Sequence, residues 1–183
     1  MRTKLLCMTV ALLLLPCLVM ADGLCGTPGV SVMYGERGDD GEGFGASLRY
    51  LVPAGCGQLM LSGSVSDGES VTVITNSGQA SARAPAIIRE DTTIWAAAAD
   101  FVRTVDRDDK GNELFYGGGV GWYKVDGPGW EEDSLGGQVL GGITFSSNWF
   151  AEVRYVFATE FDWGGGVTSD VDGVRFSIGR WFK

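Results

Sequence analysis

The chain has 183 residues, a formal net charge of −9 and no histidine. The negative charge argues against nucleic acid as a partner, because phosphate binding needs clustered lysine and arginine. The lack of histidine excludes Ser-His-Asp and Cys-His catalysis and removes the commonest metal ligand. We therefore expect no cofactor, no metal ion and no histidine-dependent enzyme.

The first 21 residues are predicted to be a secretory signal peptide. Arg2 and Lys4 precede an apolar run that ends in small residues at Ala21. This layout predicts export and cleavage after Ala21, which leaves residues 22–183 as one domain. A transmembrane anchor is the alternative, but the run is short and no basic stop-transfer patch follows it. The possible destinations are the periplasm, the outer membrane and the medium.

Two cysteines follow the predicted cleavage site, Cys25 and Cys56. In an oxidising compartment an even pair predicts one disulfide bond. Closing a loop of about thirty residues would stabilise the fold by roughly 3–4 kcal/mol on the chain-entropy description. Two unpaired thiols are the alternative.

Downstream of the signal peptide, apolar side chains recur at every second position. In the clearest stretch Trp149, Val153 and Tyr155 share one face, and Glu152 and Arg154 lie on the other. This period predicts β-strands rather than helices. The third strand either extends through residues 70–76 or gives way there to a long protruding hairpin. The eight candidate strands, each about ten residues long, lie near residues 28–36, 42–52, 57–66, 91–104, 113–125, 134–146, 148–160 and 172–182.

The connections between these strands alternate in length. Those after the second, fourth and sixth strands are PAGC, DRDDKGNE and SSN, whereas the others are mostly longer and acidic or rich in glycine. Short turns at one end and longer loops at the other are typical of outer-membrane β-barrels. The sequence therefore predicts an all-β protein, an eight-stranded antiparallel up-and-down transmembrane barrel, with its termini and cysteines at the short-turn, periplasmic end.

The two faces of the predicted strands differ in residue type. One face carries small and polar residues together with Arg49, Asp100, Glu152, Arg154 and Arg175. This face should point into the lumen, because a charge facing lipid would cost about 2–4 kcal/mol at the bilayer midplane. We predict that the five residues form a charge network that closes the lumen; scattered polar positions facing water are the alternative. The residues predicted to face lipid are Phe44, Leu48, Tyr50, Trp95, Phe101, Tyr116, Val120, Trp122, Val139, Ile143, Trp149, Tyr155, Phe157, Phe176, Ile178 and Phe182.

Three segments resemble the OmpA-like family of small outer-membrane β-barrels. LFYGGGVGWYKV resembles one of its glycine-rich strands, GGQVLGGITFSSNWFAEVRYVF the hairpin that follows, and DVDGVRFSIGRWF the closing strand. The resemblance covers residues 91–183, and the first half of the chain matches in pattern alone. It supports the fold more than any role.

The resemblance also implies a role for the last strand. In such proteins this strand carries the signal that the outer-membrane assembly machinery reads, through alternating apolar residues and a terminal aromatic residue. Val174, Phe176, Ile178 and Phe182 match that pattern, but Arg180 stands where an aromatic residue is usual. We expect outer-membrane lipids and lipopolysaccharide as surroundings, a monomer, and an extracellular partner bound through the loops.

Three functional classes fit such a barrel. A structural or surface-interaction protein with a closed lumen is favoured. A secreted soluble barrel that binds a small ligand explains the alternation equally well, but not the aromatic end of the chain. A lipid A-modifying enzyme is disfavoured, because such barrels rely on histidine and only Asp100 and Glu152 would remain as a catalytic pair. A small pore is disfavoured because eight strands leave little lumen.

Overall fold

The computed structural model describes residues 26–37, 41–74, 86–127, 130–158, 161–162, 168–169 and 172–182. The strands within these residues are β1 (Thr27–Arg37), β2 (Gly41–Ala54), β3 (Gly57–Ile74), β4 (Ala86–Arg107), β5 (Glu113–Gly127), β6 (Trp130–Thr144), β7 (Trp149–Ala158), β8 (Phe161–Asp162), β9 (Thr168–Ser169) and β10 (Gly173–Trp181). Eight of them close into an antiparallel barrel in the order β1-β10-β7-β6-β5-β4-β3-β2, and β8 and β9 form a separate short pair. The predicted eight-stranded all-β fold is confirmed.

Closure of the barrel joins the two ends of the chain. β1 pairs with β10 from Gly29 opposite Trp181 to Gly35 opposite Arg175. The backbone N–H of Phe182 also donates to the carbonyl of Pro28 at 2.8 Å. Closure leaves the barrel wall without the unpaired edge that an open sheet presents. No helix in the described part of the chain is long and apolar enough to cross a membrane.

The third and fourth strands are longer than the sequence predicted. β3 pairs with β4 from Gln58 opposite Val102 to Ile74 opposite Ala86, whereas β2 follows β3 no further than Gly68. Residues 69–74 and 86–91 therefore form a two-stranded hairpin above the neighbouring strands. The sequence left open whether β3 extends through this segment or the segment forms a protruding hairpin. Both descriptions are correct, because β3 extends to Ile74 and its extension pairs with β4 as a protruding hairpin.

Tight turns connect the strands at the opposite end. Gly55 lies between β2 and β3 with φ of 59°, and Asn148 lies between β6 and β7 with φ of 65°. Glycine and asparagine tolerate this left-handed region better than other residues. The Asn148 carbonyl also accepts a hydrogen bond from the Trp181 N–H at 2.9 Å, which ties this turn to the end of β10.

The lumen is filled by two apolar clusters with charged side chains between them. The long-loop cluster packs Ile94, Tyr123, Val125 and Val156 together. The short-turn cluster packs Met60, Val102, Leu140, Phe150 and Trp181, with Leu51 and Phe115 against them.

Inward-facing glycines make room for the largest of these side chains. A Cβ placed at Gly121 would lie 2.8 Å from the Tyr123 hydroxyl, and one at Gly142 would lie 2.6 Å from the Phe115 ring. Real Cβ atoms do not approach that closely. An eight-stranded barrel has a lumen barely wide enough for side chains, so a ring on one strand requires a glycine beside it.

Candidate functional site

All five charged residues predicted to line the lumen point inward and are buried. Their exposed fractions are 5% for Arg49, 0% for Asp100, 3% for Glu152, 8% for Arg154 and 8% for Arg175. Four strands supply them, namely β2, β4, β7 and β10. Such deep burial of charge demands partners, because an isolated ion in a low-dielectric interior is strongly disfavoured.

Glu152 is held by two arginines. Arg49 Nη1 donates to Glu152 Oε2 at 2.5 Å across the lumen. Arg154 Nε donates to the other oxygen, Oε1, at 3.1 Å from its own strand. Arg49 Nε also donates to the Ser47 hydroxyl at 3.2 Å. Both carboxylate oxygens therefore have charged donors, which is the arrangement that a buried carboxylate needs.

Asp100 extends the network towards β6. Its Oδ1 accepts a hydrogen bond from Gln138 Nε2 at 2.6 Å, and its Oδ2 lies 3.3 Å from Arg154 Nη2. The Tyr123 hydroxyl in turn donates to Gln138 Oε1 at 2.8 Å. Gly119 lies between Asp100 and Gln138 in the sheet register. The missing side chain there leaves space for the two to meet across β5.

Arg175 stands apart from this network, which departs from the predicted five-residue cluster. Its guanidinium carbon lies 5.6 Å from the centre of the Tyr123 ring, and its Nη2 has no hydrogen-bond partner among the described residues. In the sheet register it lies opposite another arginine, Arg154. The physical reason is that Glu152 and Asp100 are already engaged by Arg49 and Arg154.

Several residues of the site were not assigned a role from the sequence. Gln138 and Tyr123 complete the polar network, and Phe150 lies under it, with Arg49 4.8 Å from the ring centre. The Phe150 and Trp181 rings pack with centres 4.8 Å apart. The sequence could have placed Phe150 in the lumen, because residues two apart on a strand share a face and Phe150 lies two residues before Glu152.

The arrangement does not present a catalytic carboxylate pair. Asp100 and Glu152 share Arg154 as a partner and are at most 3% exposed. A substrate would have to enter a filled lumen to reach them. No group of three or more His, Cys, Asp or Glu side chains within the described residues is placed to hold a metal ion. Both acids are thus held in buried ion pairs that link β2, β4 and β7.

The predicted assembly strand is β10. Phe176 and Ile178 point away from the lumen and are 52% and 58% exposed, whereas Val174 and Phe182 are partly exposed. The alternating residues Arg175, Ser177 and Trp181 are buried inside. Apolar side chains thus lie on the outer face of β10 and mostly polar ones on its inner face, as the sequence predicted. Recognition of this strand by the assembly machinery stays a prediction.

Cys56 is exposed in the turn between β2 and β3 and has no disulfide partner among the described residues. Cys25 and Ala21 lie outside those residues. The Cys25–Cys56 bridge and the cleavage after Ala21 therefore stay predictions.

Outward-facing tryptophans lie near the long-loop end of β4 and β5. Trp95 Nε1 donates to Asp126 at 3.2 Å, and Trp122 Nε1 donates to Asp133 at 2.9 Å. Beyond them, Lys124 Nζ donates a hydrogen bond to Glu131 Oε2 at 2.5 Å. Each indole thus has its ring on the apolar wall and its N–H bonded to an acid at the rim.

No protein-family description and no curated protein matches the chain. Solved structures do match it across most of its length. Neisserial surface protein A is 14% identical, with 86% of this chain and 95% of that chain covered and a TM-score of 0.54. The outer membrane enzyme PagL is 14% identical, with 85% of this chain and 99% of that one covered and a TM-score of 0.53. The chain therefore has the fold of the small eight-stranded outer-membrane β-barrels.

Proposed function

We propose that the protein is a small integral outer-membrane β-barrel with a structural or surface-interaction role and a closed lumen. The observation that carries this proposal is the inverted polarity of the barrel. Phe44, Val120 and Leu135 on the outer wall are 71%, 68% and 72% exposed, whereas Arg49 and Glu152 inside are at most 5% exposed. A barrel folded for water would bury the apolar residues and expose the charges. This favours a membrane barrel over a secreted soluble one.

The distribution of aromatic residues on the wall supports the same proposal. Trp95 and Trp122 lie towards the long-loop end, and Phe101, Tyr116 and Trp149 lie towards the short-turn end. All five are exposed. Aromatic side chains at both levels match the two girdles that membrane barrels place at the bilayer interfaces. Arg103 and Arg180 are also exposed near the short turns, where long basic side chains can reach the headgroups.

The filled lumen supports a role other than conduction. The short-turn cluster blocks one end, and the Arg49–Glu152 ion pair crosses the middle. No side-chain-free path through the lumen is expected in so narrow a barrel. The same ion pairs engage the two candidate acids, so we propose that the protein is not an enzyme.

The proposed surface role belongs to the long-loop end. Glu42, Glu131 and Asp133 are exposed there, and such acids could bind lipopolysaccharide phosphates through divalent cations. The sequence places further acids and a tryptophan in the long loops, but these residues, Asp39, Asp40, Trp163 and Asp170, lie outside the described part of the chain. We propose lipids and lipopolysaccharide as the immediate partners of the protein. We also propose that β10 carries the signal by which the outer-membrane assembly machinery recognises the monomer.

Membrane fractionation with a heat-shift test examines this proposal. Protein extracted in mild detergent is run unboiled and boiled on a denaturing gel, with and without reductant. We expect the protein in the outer-membrane fraction, with an unboiled band that migrates differently from the boiled one. Release into the soluble fraction with no heat shift would overturn the membrane assignment and favour the secreted barrel. A change on reduction would report the Cys25–Cys56 bridge.

Planar-bilayer recording tests the closed lumen separately. We expect no steady current from the wild-type barrel. The variant Arg49→Ala/Phe150→Ala removes both the guanidinium that spans the lumen and the aromatic ring beneath it. This variant should conduct ions if these side chains form the barrier. Steady current through the wild-type protein would contradict a closed lumen, even if the fractionation result stands.

A further inference from the structure

We propose that the lumen beside Arg175 binds a single monoatomic anion of the chloride class. The inference begins with charge balance in the middle of the lumen. Among the described charged residues that are buried, Arg49, Arg154 and Arg175 supply three positive charges, and Asp100 and Glu152 supply two negative ones, which leaves an excess of one positive charge. Glu132 also has a buried carboxylate oxygen, but it lies near the long-loop end of β6 and does not line the cavity described below. The excess charge resides at Arg175, because the other four residues share ion pairs.

Arg175 has hydrogen-bonding capacity that the described residues do not use. Its Nη2 is buried without an acceptor. The Tyr123 ring, whose centre lies 5.6 Å from the guanidinium carbon, attracts the cation but accepts no conventional hydrogen bond from it. Arg154 lies opposite Arg175 in the sheet register, and like charges in that position repel each other. A guanidinium buried in this way is costly unless a counter-charge reaches it.

A cavity lies where that counter-charge would bind. It has a volume of about 20 Å³ and is lined by Arg49, Arg154 and Arg175, but by neither Asp100 nor Glu152. The other lining residues are Met33, Ser47, Ser62, Ser64, Ala96, Ala98, Tyr123, Gln138 and Ser177. A cavity of this size admits about one water-sized particle. The lining is therefore rich in hydrogen-bond donors, carries net positive charge and excludes larger anions by volume.

A water molecule is the competing occupant, and the charge balance separates the two. Water would accept hydrogen bonds from Arg175 and the serines, but it would leave the excess positive charge uncompensated in a low-dielectric interior. One anion would neutralise this excess positive charge and would accept hydrogen bonds from the same donors. We therefore assign the cavity to an anion, and this assignment depends on the closed lumen rather than on any role of the loops.

Bromide diffraction tests the assignment directly. The full-length protein is refolded in detergent in sodium bromide, so that the ion can enter before the barrel closes, and is then crystallised. We expect an anomalous bromide peak within hydrogen-bond distance of Arg175 in the lumen. Ordinary water density there without anomalous signal would overturn the proposal.

Unfolding in different salts gives a second, independent measurement. A ligand that binds the folded state raises stability with its concentration, so the urea midpoint of the wild type should rise with chloride when gluconate keeps the ionic strength constant. Arg175→Gln should lose this rise. Arg180→Gln, an exposed arginine on the same strand, should keep it. Equal chloride dependence in all three proteins would contradict the site, and if Arg175→Gln does not fold, the bromide result decides.

Discussion

Leu135 and Leu140 lie five residues apart on the same strand, β6, yet they have opposite environments. Leu135 is 72% exposed on the outer wall, and Leu140 is 5% exposed inside the lumen. An odd separation places two residues on opposite faces of a strand. The wall and the lumen therefore impose different requirements. A wall position needs an apolar residue, whereas a lumen position must also match its neighbours in size and charge.

The lumen shows this second requirement in its contacts. Leu140 packs with Met60, Phe150 and Trp181 in the short-turn cluster, while Glu152 needs two specific arginines. Proteins pack interiors at high density, so a lost side chain leaves a void or an orphaned charge. On the wall, lipid tails would replace the lost contacts, because they are as apolar as leucine.

The largest effect is expected from Glu152→Ala. This change leaves Arg49 buried without its carboxylate and removes one of the two acids that engage Arg154. Loss of one partner of a buried ion pair costs about 3–5 kcal/mol, measured as the free energy of unfolding in urea and detergent. The control Arg49→Met/Glu152→Leu removes the pair together and should lose less than the single variant. An equal or greater loss in the double variant would contradict the orphaned-charge explanation.

The two leucines provide the next test. Leu140→Ala should destabilise the barrel by about 3 kcal/mol, because it opens a cavity in the short-turn cluster. Leu135→Ala should cost less than about 1 kcal/mol, since lipid or detergent tails fill the space. The measurement is the same urea titration, run on both variants in one detergent. Equal losses would show that the wall is packed against protein rather than lipid.

A charge introduced on the wall tests the depth of the apolar band. Val120 lies at the middle of β5 and is 68% exposed, and Leu114 lies at its short-turn end and is 51% exposed. Val120→Arg should cost about 2–4 kcal/mol and Leu114→Arg about 0–1 kcal/mol, because the penalty falls from midplane to interface. Refolding into vesicles with urea titration measures both. A soluble barrel would tolerate both arginines. A small loss of stability in both variants would therefore contradict a wall that faces lipid.

The smallest effect is expected in the turn between β4 and β5, outside both regions. Backbone N–H groups of Asn112 and Lys110 donate to Asp108 Oδ1 at 2.8 and 2.9 Å, and these hydrogen bonds, led by that of Asn112, lower the pKa of Asp108. Because the folded-state pKa lies below the ordinary value, the carboxylate stabilises the turn above about pH 4. This contribution is lost as pH falls through the lowered value.

An NMR titration of the Asp108 carboxyl measures that shift. We expect a midpoint below that of an unstructured aspartate, and a smaller acid sensitivity of the Asp108→Asn protein. An ordinary midpoint for Asp108 would contradict the hydrogen-bonded turn.

Much of this architecture could be predicted without coordinates. Alternation located all eight barrel strands, and strand parity assigned Arg49, Glu152 and Phe176 to their correct faces. The ends of β3 and β4 were predicted less well, because a hairpin above the barrel shows the same alternation as a strand within it. Phe150 was left without a role for a related reason, since parity identifies its side but not the neighbours that it contacts there.

The sequence by itself determined the barrel class and the side of the wall on which residues such as Arg49 and Phe176 lie, because side-chain alternation is a local property of extended backbone. The tertiary structure alone decided which lumen charges meet. Arg49 and Glu152 are 103 residues apart and lie on strands that are not neighbours, so their pairing depends on closure, strand tilt and stagger. The same geometry left Arg175 without a carboxylate partner among the described residues, because Asp100 and Glu152 pair with the other two arginines.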